Sequence, residues 1–186
     1  RDGQAFFVHN RVFDIDSVGL VQLLAQCNRG LDRCGRPLGG RTRFLIGVGV
    51  NPAAPRFAEE LERFARKLAA GAEFVLTQPV YEPELLERLL ERIGGPGRIP
   101  ILVGILPLAG HRNAEFLHNE VPGMQIPAPV RARMERAGEG TKGREEGIAI
   151  AREALQAARA LGVAGAYVMP PLQRYETAVA VIRGLV

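Results

Sequence analysis

The sequence predicts a parallel α/β protein, and three observations lead there. Short apolar runs alternate with amphipathic helical segments. Four of those runs close on a proline-containing loop. A strand-and-stop unit recurs: Gly71 to Pro79 and Gly162 to Pro170 both read helix stop, strand, proline, with the same spacing of 8. Alternation of this kind builds a parallel sheet through right-handed crossovers. At 186 residues and 20.2 kDa the chain holds one domain, at most one and a half.

From Asp14 to about Asn28, Val18, Val21, Leu24 and Ala25 recur at helical spacing, and a Gly/Arg-rich loop follows from Gly30 to Arg43. Residues 44–50 form a nearly continuous apolar run ending in Asn51-Pro52, the pattern of a parallel strand buried on both faces. Phe57, Leu61, Phe64 and Leu68 mark a helix stopped by Gly71. A second strand at 73–78 ends at Gln78-Pro79. Pro83 suits the first position of a helix carrying Leu85, Leu86, Leu89, Leu90 and Ile93. A third strand at 99–106 is closed by Pro107, and a short helix is expected over 113–120. Residues 122–143 read as a long connection with one helix at 128–137. Ile148, Ala151, Leu155, Ala158 and Leu161 then mark a long helix that Gly162 stops. A fourth strand at 165–169 leads through Pro170-Pro171 into a last helix at 173–185.

Composition narrows the function. With 47% hydrophobic and 24% charged residues, collagen, disulfide scaffolds and wholesale disorder are excluded. No apolar run approaches the roughly 18–20 residues of a membrane span. Arg1 stands where a Met is expected and no signal peptide follows, as in a chain missing its natural start. The net charge of +4 rests on 22 Arg and 2 Lys, interleaved with glutamates as in Glu59-Glu60-Leu61-Glu62-Arg63. That is a solvated helix face, and neither a nucleic acid nor a membrane is expected as partner. Cys27 and Cys34 fit no common zinc or redox spacing. Reduced thiols in a cytoplasmic protein are the default expectation.

In a (β/α) barrel and in an open doubly wound sheet alike, ligands bind at the C-terminal ends of the strands. The candidate site therefore comprises Asn51, Gln78, the loop after Leu106 and the loop after Met169. Gln78 is either a loop-bonding amide or a two-sided hydrogen-bonding group aimed at a heterocycle. Arg174 is either a carboxylate or phosphate clamp or a surface partner of Glu176. His111 and His118 have no companion ligand at metal spacing, so exposed or capping histidines are expected and no metal. Of Asp14 and Asp16, one caps the first helix. No dinucleotide fingerprint, phosphate loop, nucleophile elbow or HExxH is present.

Six stretches in order carry a resemblance: Phe13 to Leu20, Ile46 to Pro52, Thr77 to Tyr81, Gly104 to Leu108, Asn113 to Leu117 and Arg174 to Glu176. Together they resemble the C-terminal half of methylenetetrahydrofolate reductases. The likeness is strongest to the reductase module of bifunctional homocysteine S-methyltransferase/methylenetetrahydrofolate reductases. It covers Phe13 to Val186 and leaves 1–12 as an unmatched leader.

The resemblance implies an FAD-binding (β/α)8 barrel. A whole barrel takes about 250 residues, so four strands imply its C-terminal half. It implies reduction of methylenetetrahydrofolate to methyltetrahydrofolate by NAD(P)H through FAD, feeding methionine synthesis. The alternative is a non-catalytic folate- or flavin-binding fragment. Gln78, Asn113 and Arg174 match folate-contacting positions. Glu60, Arg63, Arg66 and Lys67 match an FAD-contacting stretch. Phe13 stands where a flavin-contacting tyrosine is usual, and Leu117 where some members carry a stacking phenylalanine. The family's catalytic acid falls on a first strand outside this chain. Activity of the chain alone is therefore not expected, and a homo-oligomer or a missing N-terminal half or methyltransferase module is the expected partner.

Overall fold

A computed structural model describes residues 15–183, less the side chain of Leu172. Phe13, Asp14 and the unmatched leader lie outside the described residues. Two compact units are present: Arg1–Ile46 with Glu62–Ala72, and Gly47–Leu61 with Glu73–Val186.

In the first unit, helix α1 (Ser17–Asn28) opens on Asp16, whose carboxylate accepts the Gly19 N–H at 2.7 Å. This is the expected N-cap. Val18 and Val21 are the buried residues of α1. Asn28 then fixes the returning chain. Its Oδ1 accepts from Phe44 N and Thr42 Oγ1, and its Nδ2 donates to Phe44 O, each at 2.8 Å. Within the intervening loop, Asp32 accepts the N–H groups of Cys34 and Arg36, both at 2.8 Å. The Arg36 backbone bond leads in holding the Asp32 carboxyl below its ordinary range.

The second unit holds a four-stranded sheet in the order β1 (Gly47–Val50), β2 (Phe74–Pro79), β3 (Ile101–Ile105), β4 (Gly165–Val168), every pair parallel. Helices α2 (Phe57–Ala70) and α3 (Pro83–Ile93) follow β1 and β2. After β3 come α4 (His111–Glu120), α5 (Ala128–Ala137) and α6 (Gly140–Ala160), and after β4 a 3-10 turn (Pro171–Gln173) and α7 (Tyr175–Arg183). Helix α2 gives its first five residues to this unit and the rest to the first. The fold is the expected α/β class, a four-strand parallel sheet consistent with part of a (β/α) barrel.

The strand at 44–50 departs from expectation. It begins at Gly47, and Phe44 and Leu45 are 48% and 71% exposed. Its residues alternate exposed and buried, so only Val48 and Val50 face the core. The ladder to β2 starts at Gly47↔Phe74, and the Phe74 ring lies where a Cβ on residue 47 would stand. The buried face of the sheet carries Val48, Val50, Val75, Ile101, Val103 and Ile105. Helix α6 lies on β3 and α3 lies beside α6, with Leu86, Leu89, Leu90 and Ile93 of α3 and Ala151, Ala154, Leu155 and Ala158 of α6 buried. Fully burying one such Leu or Ile contributes about 1.5–3 kcal/mol.

Helix α5 falls at the expected 128–137, but α6 starts at Gly140, inside the stretch expected to be connection. Gly140, Gly143 and Gly147 stand in its first eight residues, although each glycine costs a helix about 1 kcal/mol relative to alanine. Tertiary packing reverses the preference. A Cβ at Gly147 would overlap the Leu108 carbonyl, and one at Gly143 the Gly138 carbonyl. The loop after β3 thus lies directly on the bare backbone of α6. Leu108 leads a second core with Ala114, Ile126, Val130, Met134 and Ile150.

Gly147→Ala should lower the urea midpoint. Helix propensity gains about 1 kcal/mol, but overpacking against backbone costs about 1–3 kcal/mol and cannot be relieved by a rotamer change. A raised midpoint would show that the contact is not tight.

Arg133 of α5 bonds Glu146 and Glu153 of α6, both at 2.6 Å. The hydrogen bond from Arg133 chiefly holds Glu153 below the ordinary carboxylate range. A depressed carboxylate stabilises the fold above its unfolded pKa, and that contribution disappears as pH falls through the folded value. Glu153→Gln should therefore cost under about 1 kcal/mol at neutral pH, since Glu153 itself is exposed and the pair is screened by solvent. Denaturation curves of the two proteins should converge in acid. A gap that persists there would exclude the ion pair as its cause.

Candidate functional site

Because the sheet is wholly parallel, the segments after β1, β2, β3 and β4 emerge at one end. Gln78, Asn113 and Arg174 follow or close β2, β3 and β4, so all three belong to that end.

Gln78 lies in an irregular part of β2. The β2–β3 register shifts between Leu76 and Pro79, so Thr77 and Gln78 fall outside the regular pairing with β3. Such bulges re-aim side chains at strand ends. Thr77 is 1% exposed, while Gln78 is exposed and forms no side-chain hydrogen bond among the described residues. Two bonds replace the missing ladder at Thr77: its Oγ1 accepts Gly104 N–H at 3.0 Å, and its carbonyl accepts the Tyr167 hydroxyl at 2.5 Å.

Asn113 is half-buried in the first turn of α4, and its Oδ1 accepts the Ala109 N–H at 3.0 Å. It therefore ties down the β3 loop, while its Nδ2 has no hydrogen bond among the described residues. Tyr81 supports the same loop by donating to Leu106 O at 2.9 Å, and burial pushes its phenol well above the ordinary range. The start of α4 is capped from a distance: Glu139 accepts the Arg112 N–H at 2.7 Å. Leu117 packs against the Leu108 cluster. Arg174 is exposed just before α7 and makes no ion pair with Glu176 or any other described residue.

Asn51 is occupied structurally. Its Oδ1 accepts Ala53 N–H at 3.0 Å, its Nδ2 donates to Gly123 O at 3.2 Å, and its own N–H goes to Glu60 Oε1 at 3.0 Å. Glu60 is thereby engaged on the β1 loop. Arg63 and Arg66 are exposed on α2, whereas Lys67 is 8% exposed and shares the buried side of the helix with Phe64. The cations of the expected FAD-contacting stretch thus divide into two exposed arginines and one buried lysine, and Lys67 is engaged within the chain. His118 Nδ1 accepts the Ile126 N–H at 3.2 Å. No group of three or more metal-ligating side chains occurs among the described residues.

A shallow pocket lies beside this end, lined in part by Pro52, Val80, Tyr81, Leu85 and Pro127. Gln78 does not line it, and it is too small for more than solvent. Sequence alone does not single out Thr77, Tyr81 or Tyr167. The one available signal was a threonine inside an apolar strand, next to the glutamine.

Residues 44–184 match the family profile described as methylenetetrahydrofolate reductase. The chain belongs to the methylenetetrahydrofolate reductase family. Among solved structures it is similar to an uncharacterized protein from Clostridium thermocellum described as binding two copies of 5-methyl-5,6,7,8-tetrahydrofolic acid. The TM-score is 0.58 at 17% identity, over 75% of this chain and 52% of that one. The likeness shows a shared fold, and the chain spans about half the length of that neighbour. No described helix is long and apolar enough to cross a membrane.

The two hydrogen-bonding ends of Asn113 can be separated. Asn113→Asp keeps the acceptor for Ala109 and should leave thermal stability nearly unchanged. Asn113→Ala removes the acceptor and should cost about 1 kcal/mol. Equal losses would contradict the anchoring role.

Proposed function

We propose that this chain supplies the folate-binding end of a flavin-dependent reductase. Its reaction would convert methylenetetrahydrofolate to methyltetrahydrofolate with a reduced nicotinamide as hydride source. The observation that carries this reading is Gln78. It is an exposed amide without a hydrogen-bond partner among the described residues, at the C-terminal end of a strand inside the family match. A glutamine amide both donates and accepts, which complements the mixed edge of a pterin. Asn113 Nδ2 adds a donor, and the planar fork of Arg174 suits a substrate carboxylate. Support also comes from the neighbour of the same fold, described as binding a methyltetrahydrofolate.

Exposed Arg63 and Arg66 suit the diphosphate of FAD, so these members of the α2 set fit the cofactor. When bound, the flavin supplies the hydride transfer, and the protein contributes binding and orientation. Lys67 is committed within the chain, and its loss would act on packing as well as on the cofactor. Arg88 does not serve as a neutral comparison for α2 variants, because its guanidinium stacks 4.0 Å from the Phe57 ring centroid. Arg92, exposed on α3, is the better one. Arg66→Ala should weaken FAD binding several-fold in a titration followed at the flavin bands, and Arg92→Ala should not. Equal effects would reduce α2 to a solvated face.

A second reading is folate binding without reduction. It is supported by the resemblance, which assigns the catalytic acid to a strand outside this chain. Calorimetry with 5-methyltetrahydrofolate tests what the two readings share. Gln78→Ala should raise Kd about tenfold, the loss of hydrogen bonds worth about 1.4 kcal/mol. An unchanged Kd would remove Gln78 from the site. A turnover assay with FAD and reduced nicotinamide separates the readings.

A further inference from the structure

The bulge that presents Gln78 is held by a contact from two strands away. Gly104 sits opposite Tyr167 in the β3–β4 register, and Pro79 opposite Gly104 in the β2–β3 register. Tyr167 on β4 crosses Gly104 on β3 to reach the Thr77 carbonyl on β2 at 2.5 Å. The crossing needs a glycine. A Cβ on residue 104 would stand 2.9 Å from the Tyr167 hydroxyl and 2.8 Å from the Thr77 carbonyl. That carbonyl belongs to the peptide joining Thr77 to Gln78. The Gly104 N–H is taken by the Thr77 hydroxyl at 3.0 Å. The tyrosine therefore supplies a donor where the pairing is broken.

We infer that Tyr167 is a positioning residue: by holding the Thr77–Gln78 peptide through its hydroxyl, it fixes the direction in which the Gln78 amide leaves the sheet. The inference deepens the proposed function and rests on it for the identity of the ligand. The clamp itself does not depend on which ligand Gln78 meets. Removing the hydroxyl leaves the ring over Gly104, so the change is confined to one bond. The peptide plane at the bulge then loses its outer restraint, and the amide samples several directions. An amide that must first be ordered binds more weakly, because ordering is then charged to the binding step.

The experiment combines Tyr167→Phe with Gln78→Ala in a double-mutant cycle, together with relaxation of the Gln78 side-chain amide by nuclear magnetic resonance. Tyr167→Phe should lower the order of that amide and raise the Kd for 5-methyltetrahydrofolate about fivefold, the size of one hydrogen bond. In the Gln78→Ala background the same change should be nearly silent, since coupled residues do not add. An unaltered Gln78 amide overturns the inference whatever the ligand does. Equal losses of affinity in both backgrounds also overturn it, because the tyrosine would then act elsewhere. If the wild type fails to bind the folate while the amide still loosens in Tyr167→Phe, the folate reading falls and the positioning role stands.

Discussion

The carbonyl of Leu108 lies on the bare backbone of Gly147, and much of the C-terminal end of the sheet depends on that contact. It sets the height of the loop between β3 and α4. Asn113 and Tyr81 bond that loop from either side. Leu108 is also the inner residue of the cluster joining α4, α5 and α6, so one close approach fixes three helices. A side chain at residue 147 would move all of them together, because the opposing atoms are backbone. The helix accepts a weaker local propensity so that the loop can approach it.

The sheet is organised by an inequality between its faces. Val48, Val50, Val75, Ile101 and Val103 are buried on one face. The other carries Gly47, Gly49, Leu76, Gln78 and Tyr167, and is exposed or half-buried in β1 and β2. In a closed barrel such a face meets layers of side chains from other strands. Here its polar members differ at the strand ends: Tyr167 satisfies a carbonyl, and Gln78 is exposed. Buried peptide groups are nearly always paired, so a bulge is stable only when side chains replace the lost ladder bonds. Thr77 and Tyr167 supply those bonds.

Much of this was legible in the sequence, and the exceptions share a cause. The four strands follow from apolar runs, and the common end of Gln78 and Arg174 follows from parallel connections alone. The strand at 44–50 was read too long because Phe44 and Leu45 are apolar without being buried; where pairing begins is set by Phe74, a residue distant in sequence. The helix at 140–160 starts earlier than its apolar spacing from Ile148 suggests, because the atoms that accommodate Gly143 and Gly147 lie on other segments. Tyr167 carried no signal, since its meaning comes from a glycine and a carbonyl on two other strands. The resemblance groups Lys67 with Arg63 and Arg66, yet it lies one position round the helix from Arg66 and shares the buried side with Phe64. In each case the periodicity of an element was readable, and the neighbour that decided the outcome was not.

The central claim is that a folate meets the C-terminal ends of these strands. Hydrogen exchange measured by mass spectrometry, with and without 5-methyltetrahydrofolate, tests it without any substitution. The account requires protection concentrated at 77–82, 106–113 and 169–175, three segments separated in sequence and gathered only by the parallel sheet. Protection at 98–101 and 162–165, which precede the strands at the opposite end, would contradict it, as would no protection at saturating ligand.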